Sequence, residues 1–188
     1  MTPIPNYMQK TNFRLDIPNS QATDFVINVQ EVNLPSISIP LTDFPVNPTA
    51  KGNLPGSAVI FEPFTTRILL DEDLKSYTDM YQWMLSIVDY REAKSTAWLE
   101  GGAPRTILLH VLNSQKTKIL MTFRFFGAFP SMLGEIEFNY GDPTNLAAYV
   151  SVTWGYKYFE IERDGVIIKS REVKDNLKGL GLHPSMRG

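Results

Sequence analysis

Apolar and polar positions alternate with a two-residue period over much of the chain, the pattern of strands buried on one face. In Asn12–Ile17, Phe13, Leu15 and Ile17 share a face. Asp24–Val32 is a second strand candidate, and the alternation returns between Pro35 and Pro40 in Ser36–Ile39. Phe64–Asp71 reads as a strand that runs into the one segment of helical period. There Leu74, Tyr77, Tyr81, Met84, Leu85 and Val88 fall on one face, and Met80, Trp83 and Ile87 form an adjoining stripe. This pattern predicts a helix over Glu72–Asp89. Asp71 is placed to cap it, and Glu72 and Asp73 suit its positive end. The apolar arc covers roughly 200° at about 100° per residue, leaving Lys75, Asp79, Gln82, Ser86 and Asp89 as a narrow polar strip. An arc that wide predicts burial of Leu74 through Val88, with cover from the protein's own loops or from another chain.

Beyond the helix, Thr106–Asn113 and Thr117–Phe126 predict a hairpin around Asn113–Lys116. Gly127–Gly134 reads as a break. Glu135–Tyr140 then alternates Glu135, Glu137 and Asn139 against Ile136, Phe138 and Tyr140, as a strand would. After the Gly141–Asn145 turn, Leu146–Arg163 is a long strand region with a bend or bulge at Gly155, and Asp164-Gly165 is a two-residue turn returning through Val166–Ser170. Three stretches show no period: Leu41–Ser57, Arg91–Arg105 with Trp98 and the Gly101-Gly102 pair, and the tail from Arg171. The first holds Pro45, Pro48 and Pro55. A loop of that length in a compact domain is expected to have a contact role, carried by Leu41, Phe44, Pro45, Val46, Pro48, Lys51 and Leu54. The class is mainly β (α+β), antiparallel, with one principal flanking helix. Residues 1–170 form a single domain and 171–188 an extended arm carrying Arg171, Lys174, Lys178 and Arg187.

Composition narrows the chemistry. A length of 188 residues with 43% apolar content suits one domain with a real core. A net charge of −2 argues against electrostatic grip on nucleic acid, which needs surplus Lys and Arg. With no cysteine, thiolate zinc sites and cysteine nucleophiles are excluded, and with only His110 and His183 multi-histidine metal sites are nearly excluded. His110 lies in a strand beside Leu108 and Leu112 and reads as packing. Glu135 and Glu137 read as a solvated strand face, and Arg124 among Phe123, Phe125 and Phe126 as a core-edge arginine. The glycines near Gly179 lack the strand–helix setting of a phosphate-cradling loop. No cofactor, no metal and no enzyme activity are expected. The first residues lack the apolar stretch of a signal peptide, and no apolar run approaches a membrane span, so a soluble chain made in a cytoplasm is expected.

The order of the pieces resembles the tail-tube family of contractile-tailed phages. The resemblance rests on NFRLDI, on LPSISIP followed by a long loop, and on FEPFTTRILLDEDL running into a helix with YQWM. Its most specific part is GAFPSMLGEIEFNY followed by YVSVTWGYKYFEI, and it covers about Asn12 to Ile161. It implies a β-barrel or sandwich protomer with a flanking helix, six of which form a ring that stacks into a DNA conduit inside a contractile sheath. It also implies a virion location in the tail, assembly in the host cytoplasm, and no membrane partner. The partners implied are other tube rings, sheath, neck or baseplate proteins, and DNA in transient, non-specific passage. Glu135, Glu137 and Asn139 are then expected to face the lumen. The chain continues past Ile161, where major tube protomers of the family generally stop, so the expected role is a specialised ring, above all the tail terminator. A major tube protomer or a baseplate-proximal ring is the alternative within the family, and a soluble ligand-binding β-barrel the alternative outside it.

Overall fold

The computed structural model describes residues 7–18, 28–96, 105–141 and 147–170. In chain order the elements are β1 (Phe13–Asp16), β2 (Val29–Asn33), β3 (Ile37–Ser38), β4 (Leu41–Asn47), β5 (Ala50–Pro55), β6 (Ile60–Phe61) and β7 (Phe64–Leu69). The helix α1 (Lys75–Ile87) follows, then β8 (Val88–Asp89), β9 (Lys94–Ser95), β10 (Arg105–Leu112), β11 (Ile119–Leu133), β12 (Tyr149–Gly155), β13 (Tyr158–Arg163) and β14 (Val166–Ile167).

Eight strands form one antiparallel sheet that folds over on itself at β11. The first half of β11 lies between β10 and β13, giving a layer β1-β10-β11-β13-β14. Its second half pairs with β12, giving a layer β11-β12-β7-β2. The corner is Gly127, at φ 65°, a left-handed conformation that glycine alone adopts without cost. The expected break at Gly127–Gly134 is therefore absent: the strand continues to Leu133, and Pro130 sits at a register irregularity where its missing N–H is tolerated.

The core lies between the two layers. Leu15, Ile107, Leu109 and Phe125 point in from one side, and Phe64, Ile68, Val150, Val152 and Trp154 from the other. Phe64 stacks on Phe125 at 4.4 Å and on Trp154 at 5.9 Å. Trp154 is fully buried, and its indole N–H donates to the buried Thr66 hydroxyl at 2.9 Å.

The helix is shorter than its period predicts. Asp71 Oδ2 accepts from the Lys75 N–H at 2.9 Å and Oδ1 from the Ser76 N–H at 3.2 Å, so Asp71 does cap the first turn. Between them Glu72-Asp73 form a turn and Leu74 takes a left-handed conformation, which moves the start to Lys75 and puts Leu74 before the helix. The arc is not buried as broadly as expected. Met80 is fully buried and Tyr77 and Trp83 pack on the core, but Tyr81 and Met84 are half-buried and Val88 is exposed. Asp79, expected in the exposed strip, is half-buried, and Ser76 is buried where it accepts from Asn28 Nδ2 at 2.9 Å.

Three further expectations need correction. Leu41–Ser57 is mostly a ladder, with Thr42 opposite Leu54 and Phe44 opposite Gly52. Glu135–Tyr140 belongs to no ladder, because only Ile136 finds cover, against the core, while Glu135, Glu137, Phe138, Asn139 and Tyr140 are exposed. Leu146–Arg163 is not one long strand: it contributes β12 and β13 to two different layers, and the bend expected at Gly155 falls directly after it, at Tyr156-Lys157. At Asp164-Gly165 both φ angles are positive, 49° and 82°, as the tight hairpin turn requires. Residues 24–27, Trp98, the Gly101-Gly102 pair, most of the Gly141–Asn145 turn and the arm with Arg171, Lys174, Lys178 and Arg187 lie outside the described residues.

Candidate assembly surfaces

The first surface is the β4–β5 hairpin. Pro48-Thr49 make its tip, where Asn47 Oδ1 accepts from the Thr49 N–H at 3.0 Å, and Gly56 N–H to Pro40 C=O at 2.7 Å closes its root. Strand alternation sorts its side chains into two faces. Asp43 and Lys51 form an ion pair at 4.0 Å, with Pro45 and Asn53 on the same side. Thr42, Phe44, Val46 and Leu54 share the opposite side, where Val46 is 61% exposed. All of β4 is exposed, so nothing among the described residues covers this apolar face. The sequence-predicted contact set is thus split: Phe44, Val46 and Leu54 come together, while Pro45 and Lys51 lie on the other face with Leu41, and Pro48 is at the tip.

A second surface is the outer side of α1 with the short β8–β9 hairpin. Tyr81 and Tyr90 share a hydrogen bond of 2.7 Å between their hydroxyls. That bond, and then Arg91, pull the Tyr81 phenol below its ordinary pKa. Val88 and Tyr90 are exposed beside it.

The third is the outward face of the β1-β10-β11-β13-β14 layer, which sequence reading missed as a unit because its residues come from five separate strands. One cross-strand row runs Arg14, His110, Thr122, Glu162, Ile167, and the next runs Asp16, Leu108, Arg124, Glu160. Arg124 is ion-paired with Glu162, and Lys118 with Asp164 at 3.2 Å. His110 Nδ1 and Thr122 Oγ1 share a hydrogen bond of 2.9 Å. Burial pushes the His110 imidazole below its ordinary value of 6.5, and Asp16, Arg14, Glu162 and Arg124 surround it with charges of both signs. The cations of this face therefore stand among carboxylates, and no basic stripe forms.

The edges of the layers are the fourth. Among the described residues β1 pairs only with β10, β14 only with β13, and β2 only with β7. The layer β1-β10-β11-β13-β14 thus has an unpaired strand at each side, a condition that single-chain barrels remove by closing on themselves. In the other layer β2 is unpaired on its outer side, and Phe129–Leu133 of β11 pair only with β12 among the described residues.

A family model described as phage tail tube protein matches residues 2–162. The chain belongs to this family. It is 38% identical over 168 residues to the tail tube terminator protein of Enterobacteria phage T4, covering 88% of this chain and 94% of that one. Among solved structures, the tube terminating cap of the anti-feeding prophage matches with a TM-score of 0.62 at 14% identity, over 85% of this chain and 93% of that one. The sheath/tube terminator of an extracellular contractile injection system matches at 0.57 and 19%, over 86% and 98%. A chain from the sheath-tube complex of that system matches at 0.60 and 18%, over 84% and 92%. Tail-tube proteins and terminators thus share this two-layer fold.

Proposed function

We propose that six copies of this protein close into the ring that terminates the tube of a contractile phage tail and continues its DNA conduit, and that the protein has no enzyme activity. The observation that carries the reading is the 38% identity to a tail tube terminator over nearly the full length of both chains. The layer with two unpaired edges supports a ring, since head-to-tail pairing of edges closes if the rotation between copies divides a full turn. The second layer and α1 both lie on the core side of that layer. In a closed ring the bulkier side takes the larger radius, so the face with Arg14, His110, Arg124 and Glu162 turns inward. Cations held among carboxylates give phosphate little to grip, and DNA passes without lodging.

Glu135, Glu137 and Asn139 are exposed, but they follow the half of β11 that belongs to the second layer, at the larger radius in this reading, so the conduit wall is assigned to the other face and not to them. The β4–β5 arm reaches a neighbouring subunit or ring, and the charged stretch from Arg171 to Arg187 contacts a sheath, neck or baseplate protein. The location is the tail of the virion, with assembly in the host cytoplasm. Quantitative mass spectrometry of purified tails tests the reading: it predicts about one ring's worth of copies per tail, whereas hundreds of copies would make this the major tube subunit.

A further inference from the structure

We propose that the aromatic side chains of Phe138 and Tyr140 in one copy seat in the cleft between β1 and β2 of the next copy, an anchor outside any sheet. The inference rests on the ring reading above and assigns a partner to a segment that has none within the protomer.

The segment Glu135–Tyr140 belongs to no ladder, and its aromatic rings stand in water: Phe138 is 78% exposed and Tyr140 entirely so. The backbone that carries them is tied down on both sides of Phe138. Ile136 packs against the core, and Asn139 Oδ1 accepts from the Gly141 N–H at 2.8 Å. Large aromatic side chains presented in this way are the type that anchors interfaces when a pocket receives them.

The cleft has the complementary character. It has a volume of about 1000 Å³, and Phe13, Leu15, Val29 and Val32 give it apolar lining. Lys10, Arg14 and Lys116 outnumber Glu31 among its charged groups, whereas Glu135 and Glu137 are the charged residues of the segment. Among the described residues none of Lys10, Arg14, Lys116, Glu135 and Glu137 is in an ion pair, so these carboxylates and cations are free to meet. Rings at the centre with opposite charges around them is the anatomy of a specific interface, and the charges fix which partner is accepted.

Within one chain the two surfaces stay apart. The second half of β11 and β2 are opposite edges of their layer, three inter-strand steps apart, or ~14 Å at about 4.8 Å per step. The segment leaves from the far edge, where the Gly134 N–H donates to the Ser151 carbonyl at 2.7 Å. Each copy thus offers one aromatic pair and one cleft on opposite sides, the head-to-tail arrangement that generates rings.

The absence of native cysteine makes the contact easy to trap. Tails are assembled with Glu137→Cys combined in turn with Lys10→Cys, Glu31→Cys and Lys116→Cys, oxidised, and run on non-reducing gels. A disulfide needs Cα atoms within about 7 Å. For at least one pair the expected result is loss of monomer in favour of a ladder ending at the ring size. A second variant, Phe138→Asp/Tyr140→Asp, alters residues exposed in the free protomer. Its melting temperature should stay unchanged while incorporation into tails falls about tenfold or more. Normal incorporation of this variant, monomer alone with all three cysteine pairs, or disulfides only between copies in different rings overturn the proposal. Wild-type tails containing no ring of this protein overturn instead the ring reading on which it rests.

Discussion

The aromatic core and the β4–β5 arm are built from similar residues and have opposite fates. Phe64, Phe125 and Trp154 are closed off between two layers, with the indole N–H of Trp154 satisfied by Thr66. Phe44, Val46 and Leu54 stand on one face of a ladder that no part of the described chain covers. The core holds the protomer together. The arm has the amphipathic pattern of a buried hairpin with nothing among the described residues to bury it, as a surface that meets a partner would have. In the proposed function stability and assembly are carried by different residues, and substitutions should separate them.

The largest effect is expected in the core. Trp154→Ala removes a fully buried side chain, a change that typically costs about 3–5 kcal/mol, and chemical denaturation of the purified protomer should show it. In the arm the same class of change should leave that measurement within about 0.5 kcal/mol of the parent. Phe44→Asp/Val46→Asp, or deletion of Val46–Asn53, should instead abolish tail assembly, scored by electron microscopy. A comparable loss of protomer stability from the arm variant would end the comparison.

Gly127→Ala tests the corner that joins the two layers. It places a Cβ at a φ of 65° and within 3.0 Å of the Lys157 side chain. The cost should be about 1–3 kcal/mol, read from the same denaturation curves.

Smaller still is the cap. Asp71→Ala should cost about 1 kcal/mol. Desolvation pushes the Asp71 carboxyl up, but hydrogen bonds from Lys75 and Ser76 outweigh it and hold the pKa below its ordinary 3.8. The folded state therefore binds the proton less readily than the unfolded chain. The cap's contribution is fully present above pH 3.8 and declines as the pH falls from there through the lower folded value. His110 is depressed too, by burial, so the unfolded chain takes up its proton first as the pH falls below 6.5. Stability should fall as the pH drops through that window, and His110→Gln should flatten this part of the profile.

Much of the protomer could be read from the chain because its signals are local. Phe13, Leu15 and Ile17 alternate and are core-facing; the Asn113–Lys116 turn and the Asp164-Gly165 turn lie where their residues predict. The errors share one cause. Gly127 and Pro130 read as a break because each disfavours a regular strand, yet one is the bend of β11 and the other sits at its irregularity. Pro45, Pro48 and Pro55 concealed the arm's ladder in the same way, since a two-stranded ribbon leaves outer edges where a missing N–H costs nothing. In Glu135–Tyr140 the alternation was real but only Ile136 has cover, because period says which face a residue takes and not whether a partner strand exists. The polar face with Arg14, His110, Arg124 and Glu162 was illegible for a related reason: it is created by strand order, which brings residues from opposite ends of the chain into one row.

In the proposed function this chain completes its buried surface only as a subunit of a terminal ring. Cryo-electron microscopy of the intact tail, resolved at the end of the tube, is the decisive test of that role. Six copies are expected in a single ring at the tube end, with the apolar face of the β4–β5 arm against a neighbouring subunit or ring and the face bearing Arg14, His110 and Glu162 toward the axis. Copies repeating along the whole tube, or a terminal ring in which Phe44 and Val46 stay in water, would contradict it.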